Sequence, residues 1–316
     1  MMDQHKGTAG HLLSIVTILI WGTTFISTKI LLTDFTPFEI LLFRFLIGYV
    51  VLFLLYPRPV RTKTFKEEWL FISAGLCGVA LYFLIENIAL NLTLASHVGV
   101  IVSIAPFFTA VMAHFFLEGE KLTAPFMIGF ALALTGIVLI GFNGSLNLDL
   151  NPVGDLLAFL APAVWAVYSV LMRKISGLNH HNIGATRKVF FYGLLFMLPV
   201  IGVDGFHPNL DRFYNLLNLA NLLYLAVGAS AVCFVTWNRA VSILGVVTTS
   251  VYIYMVPVIS VAASALFLHE PITSATLAGA FLTLIGSYIS ERKHGLIRRR
   301  ELRKTIRSTQ SSMETK

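Results

Sequence analysis

Long apolar runs alternate with short polar breaks along nearly the whole chain. A helix that crosses a hydrocarbon core of about 30 Å needs roughly 20 mostly apolar residues. Ten such stretches can be marked, at about residues 12–32, 37–56, 69–90, 96–117, 125–142, 154–173, 186–203, 219–241, 248–268 and 274–290. The pattern therefore predicts an all-α membrane protein with ten transmembrane helices.

The polar breaks carry residues that end one helix and begin the next. Thr36 precedes Pro37, and Asn151 precedes Pro152. Threonine and asparagine are common N-caps, and proline is a common first helical residue. Because most breaks are shorter than about fifteen residues, the chain has no room for a separate soluble domain.

Composition agrees with this pattern. Hydrophobic residues make up 56% of the 316 positions and charged residues 12%, and the mean hydropathy is +0.79. An ordinary soluble domain has about 25% charged residues. The abundance of apolar and aromatic residues also excludes a disordered chain. Two cysteines are too few for a disulfide framework or a four-thiolate metal site.

The formal net charge of +7 is concentrated in particular segments. If the N-terminus lies in the cytoplasm, 19 of the 23 Lys and Arg residues fall on the cytoplasmic side, and the outer loops hold only Arg212. The positive-inside rule then favours an even number of spans with both termini cytoplasmic. We expect a multi-pass protein of the cell membrane, which is the inner membrane if the source is bacterial.

Nine of the basic residues follow Ser290 and form a tail. Its expected partner is the lipid bilayer, through anionic headgroups at the cytoplasmic surface. A role with nucleic acid would need a folded module, and none is predicted.

The two halves of the sequence repeat each other at offsets of 144 to 151 residues. The matches are Trp21 and Lys29 with Trp165 and Arg173, Asn87 with Asn238, Pro106 with Pro257, Glu120 with Glu270, and Gly129 and Gly136 with Gly279 and Gly286. Each copy holds five spans, and five is odd, so the second copy enters the membrane upside down. Inverted repeats are typical of alternating-access carriers, with the solute site near the midplane between the copies.

This organisation predicts four segments. Residues 1–11 are a cytoplasmic N-terminus, 12–142 the first repeat, 154–290 the second repeat and 291–316 the basic cytoplasmic tail.

Several motifs resemble the EamA-type transporters of the drug/metabolite transporter superfamily. They are Ile20-Trp21-Gly22-Thr23-Thr24-Phe25, Arg44 in the second span, and the segments from Pro106 to Thr123 and from Pro257 to Thr273. The resemblance runs from about residue 12 to 290, as two tandem EamA units. It implies a ten-helix inner-membrane carrier with a central cavity, commonly an exporter of amino acids or other small metabolites.

The sequence departs from the family pattern at Glu118-Gly119-Glu120. This segment has one residue more between proline and glutamate than the second copy has. We interpret Glu120 and Glu270 as structural residues at loop–helix junctions, with Thr123 and Thr273 as N-caps.

Ionisable groups inside the spans are the first candidates for solute binding, because each is costly in a bilayer. Arg44 is the eighth residue of the span that begins at Pro37. It either lines the cavity as the partner of an anion or carboxylate, or forms a packing ion pair with Glu39 or Glu86. Glu86, next to Asn87, either binds a substrate ammonium group, takes a proton in a proton-coupled cycle, or is a paired structural residue.

Aromatic residues within the helices are further candidates. Trp21 and Trp165 either stack on the solute or serve as ordinary packing. Tyr168 lies on a face next to that of Trp165, and Trp237 with Asn238 is the counterpart of the Glu86–Asn87 region.

The remaining candidates concern gating, packing and orientation. Pro106 and Pro257 interrupt equivalent helices and are expected to act as paired gating bends. The glycines spaced seven apart are better explained by close helix packing. Lys29 and Glu39 flank the first outer loop and are expected to be solvated.

The chain lacks the motifs of the common membrane enzymes and ATP-driven pumps. It contains no phosphate-binding loop, no HExxH motif and no Ser/His/Asp set, so we predict no catalytic residues, no metal site and no cofactor. The favoured function is a secondary transporter of a small organic metabolite such as an amino acid, and the resemblance to the family implies an exporter. Two alternatives stay open, a membrane-embedded enzyme acting on a lipid-linked substrate and a receptor or scaffold that uses the tail.

Overall fold

The computed structural model describes residues 2–92, 98, 101–120, 122–142, 151–203, 210–267 and 272–290. These residues form ten helical spans: α1 Met2–Leu31, α2 Pro37–Leu55, α3 Phe65–Leu92, α4 Ala105–Phe116, α5 Ala124–Phe142, α6 Pro152–Ser176, α7 Asn182–Val203, α8 Leu216–Leu244, α9 from Val246 to Phe267, and α10 Ser274–Ser290. The expected all-α fold of ten helices is confirmed. Glu270 and the basic tail, for which roles were predicted, lie outside the described residues.

Six helical segments of the described chain are long and apolar enough to cross a membrane. They are Gly7–Leu31, Pro37–Leu55, Phe65–Leu92, Pro152–Ser176, Leu216–Leu244 and Val246–Ala263. Three further apolar helices are shorter, at Ala105–Phe116, Ala124–Ile140 and Ser274–Ser290. The chain is a multi-pass membrane protein.

Helix starts follow the local signals in the sequence. Thr36 and Glu39 form a capping box, in which the Thr36 hydroxyl accepts from the Glu39 N–H at 3.2 Å and the Glu39 carboxylate accepts from the Thr36 N–H at 2.8 Å. Asn151 caps α6 by accepting from the Gly154 N–H at 3.0 Å. Thr123 and Thr273 likewise accept from the backbone N–H three residues on, as predicted.

The prediction that Glu39 is solvated is wrong. Its side chain is 7% exposed and pairs with Arg212 at 2.9 Å. The capping box turns the carboxylate back toward the helix start, where Arg212 of the second repeat covers it. Lys29, across the same loop, is exposed as expected.

The glycines that are spaced seven apart pack α5 against α10. A Cβ on Gly129 would lie 2.5 Å from the Gly286 carbonyl oxygen, and one on Gly279 would lie 2.5 Å from the Gly136 carbonyl oxygen. Small residues allow helix backbones to approach this closely in a membrane. The packing interpretation of these glycines is confirmed.

Both α3 and α8 contain a π-helical segment, at Leu76–Leu81 and Tyr224–Val232. The two segments overlap when the repeats are aligned on Asn87 and Asn238. Single π turns widen a helix locally and are frequent at functional sites. This shared irregularity supports the register of the two repeats.

The repeats are interleaved rather than side by side. α1 packs on α8 and α9 of the second repeat, and α3 and α4 pack on α6. Equivalent residues meet at the centre: the rings of Trp21 and Trp165 lie 5.4 Å apart, and those of Phe83 and Phe234 lie 6.2 Å apart. Such contacts between equivalent residues mark the axis that relates the two copies.

Candidate solute site

A cavity lies between the two repeats. One face of α1 lines it with Trp21, Thr24, Phe25 and Thr28, which follow helical spacing. The other lining residues are Arg44 of α2, Tyr82, Phe83, Glu86, Asn87 and Leu90 of α3, Val102 and Ala105 near the start of α4, Trp165 of α6, and Ile253 and Val256 of α9.

The cavity occupies the half of the bundle that contains the loop between α1 and α2. Thr28 lies one turn before the end of α1, and Leu90 lies close to the end of α3. Three aromatic rings form the floor of the cavity. The ring centroids of Tyr82 and Trp165 lie 5.0 Å apart, and those of Trp21 and Trp165 lie 5.4 Å apart.

Arg44 is held by contacts that leave its outer nitrogens facing the cavity. Its Nε donates to the Ser230 hydroxyl at 2.5 Å, and its guanidinium carbon lies 4.5 Å from the Phe83 ring centroid. Among the described residues its two terminal amino groups have no hydrogen-bond partner. Planar guanidinium groups bind carboxylates through such paired donors. The packing pair with Glu39 is not formed, because Glu39 pairs with Arg212.

Glu86 faces the same cavity from α3. The Tyr82 hydroxyl, one turn earlier on the same face, donates to one Glu86 carboxylate oxygen at 2.8 Å. Asn87, the next residue, donates to the Pro37 carbonyl at 3.2 Å and so ties the start of α2 to α3. Arg44 and Glu86 are the charged groups among the lining residues, so the lining carries one charge of each sign.

Trp21 and Trp165 both line the cavity, but their indole N–H groups differ. The Trp21 N–H donates at 2.9 Å to the Ala229 carbonyl, which belongs to the π-helical segment of α8. The Trp165 N–H is buried and has no partner within the described residues.

Three other predicted site residues lie behind the cavity wall. Tyr168 is fully buried, and its hydroxyl donates to Asn238 at 2.9 Å. The Asn238 amide in turn donates to Thr186 at 3.0 Å. Trp237 is 1% exposed and lies 5.1 Å from the Trp21 ring. These residues belong to the packed half of the bundle on the N-terminal side.

Pro106 and Pro257 each follow a break in their helix. The chain turns at residues 103–104 before Ala105 begins the regular part of α4. In α9 a 3-10 turn, Val251–Tyr254, precedes the helix Met255–Phe267 that contains Pro257. Residues next to both breaks line the cavity, at Ala105 and Val256.

Hydrogen bonds join the two repeats on the N-terminal side of the bundle, the side on which α1 begins. His11 of α1 bonds the Tyr252 hydroxyl of α9 at 2.7 Å, and Thr17 of α1 bonds Thr236 of α8 at 2.7 Å. Within the second repeat, Arg173 of α6 donates to the Val241 and Ser242 carbonyls near the end of α8.

Sequence reasoning missed Tyr82 and Ser230. Tyr82 had a usable signal, since a residue four positions before Glu86 lies on the same helix face. Ser230 is a single hydroxyl in an apolar span, and its contact with Arg44 crosses 186 positions of sequence. No three His, Cys, Asp or Glu side chains in the described part of the chain could together hold a metal ion.

Comparison with known proteins identifies the family. The model of the EamA-like transporter family matches residues 8–142 and again residues 152–291. An uncharacterized transporter of Archaeoglobus fulgidus is 30% identical over 288 residues, which cover 90% of this chain and 97% of that protein. A probable amino-acid metabolite efflux pump of Escherichia coli is 24% identical, over 88% of this chain and 93% of the pump.

A solved crystal structure shares the fold. Its TM-score is 0.73 at 20% identity, over 93% of this chain and 98% of the other. The two matches of the family model place one EamA unit on α1 to α5 and a second on α6 to α10. A membrane-embedded enzyme is not supported, because the EamA family consists of transporters. The chain belongs to the EamA-like transporter family, as two tandem units in one polypeptide.

Proposed function

We propose that this transporter is a secondary exporter of a small zwitterionic metabolite such as an amino acid, and that it works by alternating access between its inverted repeats. The observation that carries the proposal is the pair of opposite charges in one cavity. Arg44 offers two terminal amino groups, and Glu86 keeps one oxygen beyond the Tyr82 bond.

This arrangement matches the two charges of an amino acid. Its carboxylate can accept both Arg44 amino groups, and its ammonium group can donate to Glu86. Charge-assisted hydrogen bonds of this kind contribute about 1.5–3 kcal/mol each. The solute also replaces the water lost from both groups in a site that is otherwise aromatic and aliphatic.

The name of one relative supports the direction of transport, and the distribution of basic residues supports the orientation in the membrane. The Escherichia coli relative is named as an efflux pump for amino-acid metabolites. With both termini in the cytoplasm, the basic loops lie inside, and the cavity lies on the outer side. Pro106 and Pro257 act as paired bends that let α4 and α9 open opposite sides.

Counterflow in proteoliposomes tests the solute chemistry. An amino acid is compared with its decarboxylated amine and with the acid that lacks the amino group. Arg44→Gln should reduce amino-acid flux about tenfold or more and should spare the amine. Glu86→Gln should leave the flux of the acid that lacks the amino group unchanged. Lys29→Gln, which changes an exposed charge at a residue outside the cavity lining, is the matched control and should leave flux unchanged.

A pH gradient imposed across the same vesicles tests the coupling ion. Glu86 is the carboxyl group in the cavity, so a gradient should stimulate flux in the original chain and not in Glu86→Gln. Equal flux of all three compounds in every variant would contradict the zwitterion site.

A further inference from the structure

The loop between α2 and α3 is a stiff segment on the N-terminal side of the bundle. Pro57 and Pro59 stand on either side of Arg58. Each proline fixes its own φ and restricts the residue before it to extended conformations. The segment from Tyr56 to Pro59 therefore has little conformational freedom even before it contacts the rest of the protein.

Two cations of α7 fasten this loop through its backbone. Arg187 donates to the Tyr56 carbonyl at 2.6 Å and to the Arg58 carbonyl at 2.9 Å. Lys188 donates to the Val60 carbonyl at 3.1 Å. Because these bonds end on carbonyl oxygens, they position the loop without using its charged side chains.

Close packing against α7 holds the loop in the same place. A Cβ on Gly184 would lie 2.8 Å from the Tyr56 ring and 2.8 Å from the Val60 side chain, so the loop needs a glycine there. The Tyr56 ring also stacks on His181, with ring centroids 4.1 Å apart. The loop is thus a built surface with a defined position.

The two carboxylates near the start of α3 are engaged within the protein. Glu68 pairs with Lys188 of α7 at 2.7 Å. Glu67 accepts from the backbone N–H of Lys63 at 2.7 Å. These acids therefore serve α7 and the loop backbone, and they do not pair with the cationic side chains of the loop.

Four cations of the loop and of the first turn of α3 keep their charge exposed. They are Arg58, Arg61, Lys63 and Lys66, and none of them forms an ion pair with a described residue. They lie within residues 58–66 of a fixed backbone, so their charges act together on one small area. We call these four side chains the basic loop patch.

Exposed apolar side chains adjoin the basic loop patch. Phe65 is 75% exposed and Trp69 is 56% exposed, and their ring centroids lie 6.2 Å apart. Leu54 and Leu55, at the end of α2, are also largely exposed. Tryptophan favours the level of the lipid headgroups. The patch therefore lies where one span ends and the next begins, at the surface of the membrane.

We propose that the basic loop patch binds the headgroup of an anionic phospholipid, whose acyl chains lie beside Phe65 and Trp69. Clusters of four or more basic residues next to a membrane span bind such headgroups, and guanidinium groups bind phosphate through paired donors. A free phosphate would use the charges but not the apolar side chains beside them. The site is separate from the solute cavity, so it does not depend on the proposed function.

Tryptophan fluorescence tests the site. Trp69 is exposed, whereas Trp165 and Trp237 are buried and Trp21 is half-buried. The full chain is reconstituted in equal amounts of phosphatidylglycerol and phosphatidylcholine, with bromine atoms on the acyl chains of one lipid or of the other. Bromine quenches an indole only at close range, and the difference from Trp69→Phe isolates the quenching of Trp69.

Brominated phosphatidylglycerol should quench Trp69 more strongly than brominated phosphatidylcholine. One basic side chain near the surface favours an anionic lipid by about fivefold, so we expect a local enrichment of about that size or more. A variant with Arg58→Gln, Lys63→Gln and Lys66→Gln should lose most of this preference. Lys66→Gln alone, which is a milder change at an exposed position, should lower it.

The matched control removes three cations from the tail instead, with Arg298→Gln, Arg299→Gln and Arg300→Gln. It should leave the preference at Trp69 unchanged, which separates the loop from the tail. Equal quenching by the two lipids in the original chain would overturn the proposal. A preference that the tail variant abolishes and the loop variant retains would overturn it as well.

Discussion

Trp21 and Trp165 hold the same position in the two repeats and contact each other edge to face, with ring centroids 5.4 Å apart and planes at 82°. Two equivalent residues can touch only where the axis of the repeat passes between them. The contact therefore fixes the centre of the carrier, and Arg44 and Glu86 lie around that centre in one cavity.

The two tryptophans should respond differently to loss of their N–H groups. Trp21→Phe leaves the Ala229 carbonyl without its donor and should lower the free energy of unfolding by about 1 kcal/mol. Trp165→Phe removes a donor that has no partner within the described residues and should cost less. Thermal unfolding in detergent compares the two, and a larger loss for Trp165→Phe would contradict the assignment.

Close packing of α5 on α10 should make Gly129 intolerant of even one methyl group. Gly129→Ala places a Cβ against the Gly286 carbonyl oxygen and the Ser290 side chain. We expect a destabilisation of about 1–3 kcal/mol, as for other overpacked sites. Gly7→Ala is the control, because nothing lies within 4 Å of a Cβ there. Equal unfolding temperatures for both variants would show that the helices are not in contact.

The buried carboxylate of Glu39 should depend on Arg212. Arg212→Gln leaves the Glu39 side chain, which is 7% exposed, without its cation and should destabilise the protein by about 1 kcal/mol. Adding Glu39→Gln should recover part of the loss, since no buried charge then remains. Arg61→Gln, at an exposed position, is the control. Additive losses in the double variant would argue against the ion pair.

Glu120 should stabilise the start of α9, whereas Glu118 should not. The Glu120 carboxylate accepts from the Val246 N–H at 3.2 Å and is 5% exposed. Gly119 has a φ of +79°, a conformation that glycine adopts easily, and the turn separates the buried Glu120 from the exposed Glu118. Glu120→Ala should cost about 1 kcal/mol, as for the loss of a helix cap, and should slow transport. Equal effects of Glu118→Ala would contradict this assignment.

The sequence predicted the architecture well because membrane spans are read from local composition. Local sequence signals predicted the spans, the N-caps at Thr36 and Asn151, and the small-residue faces of the glycine helices. The helix α1 begins at Met2, ahead of the predicted membrane span, since Met2 to His11 contains no proline to stop the helix. Glu39 was misjudged because its partner, Arg212, lies 173 positions away.

The site was predicted for a different reason, namely that charged residues inside spans are costly and that tryptophan is scarce, with four in the chain. Five of the eight predicted binding residues line the cavity, at Trp21, Arg44, Glu86, Asn87 and Trp165. Tyr168, Trp237 and Asn238 have the same character but lie in the closed half. Sequence pattern identifies polar groups within a membrane, whereas the conformation decides which of them face the cavity.

A structure of the carrier with a bound amino acid would test the central claim most directly. We predict the solute carboxylate within about 3 Å of the Arg44 terminal nitrogens, the ammonium group beside Glu86, and the side chain against Trp21 and Trp165. A solute bound away from both charged residues, or Arg44 and Glu86 turned toward lipid, would contradict the account.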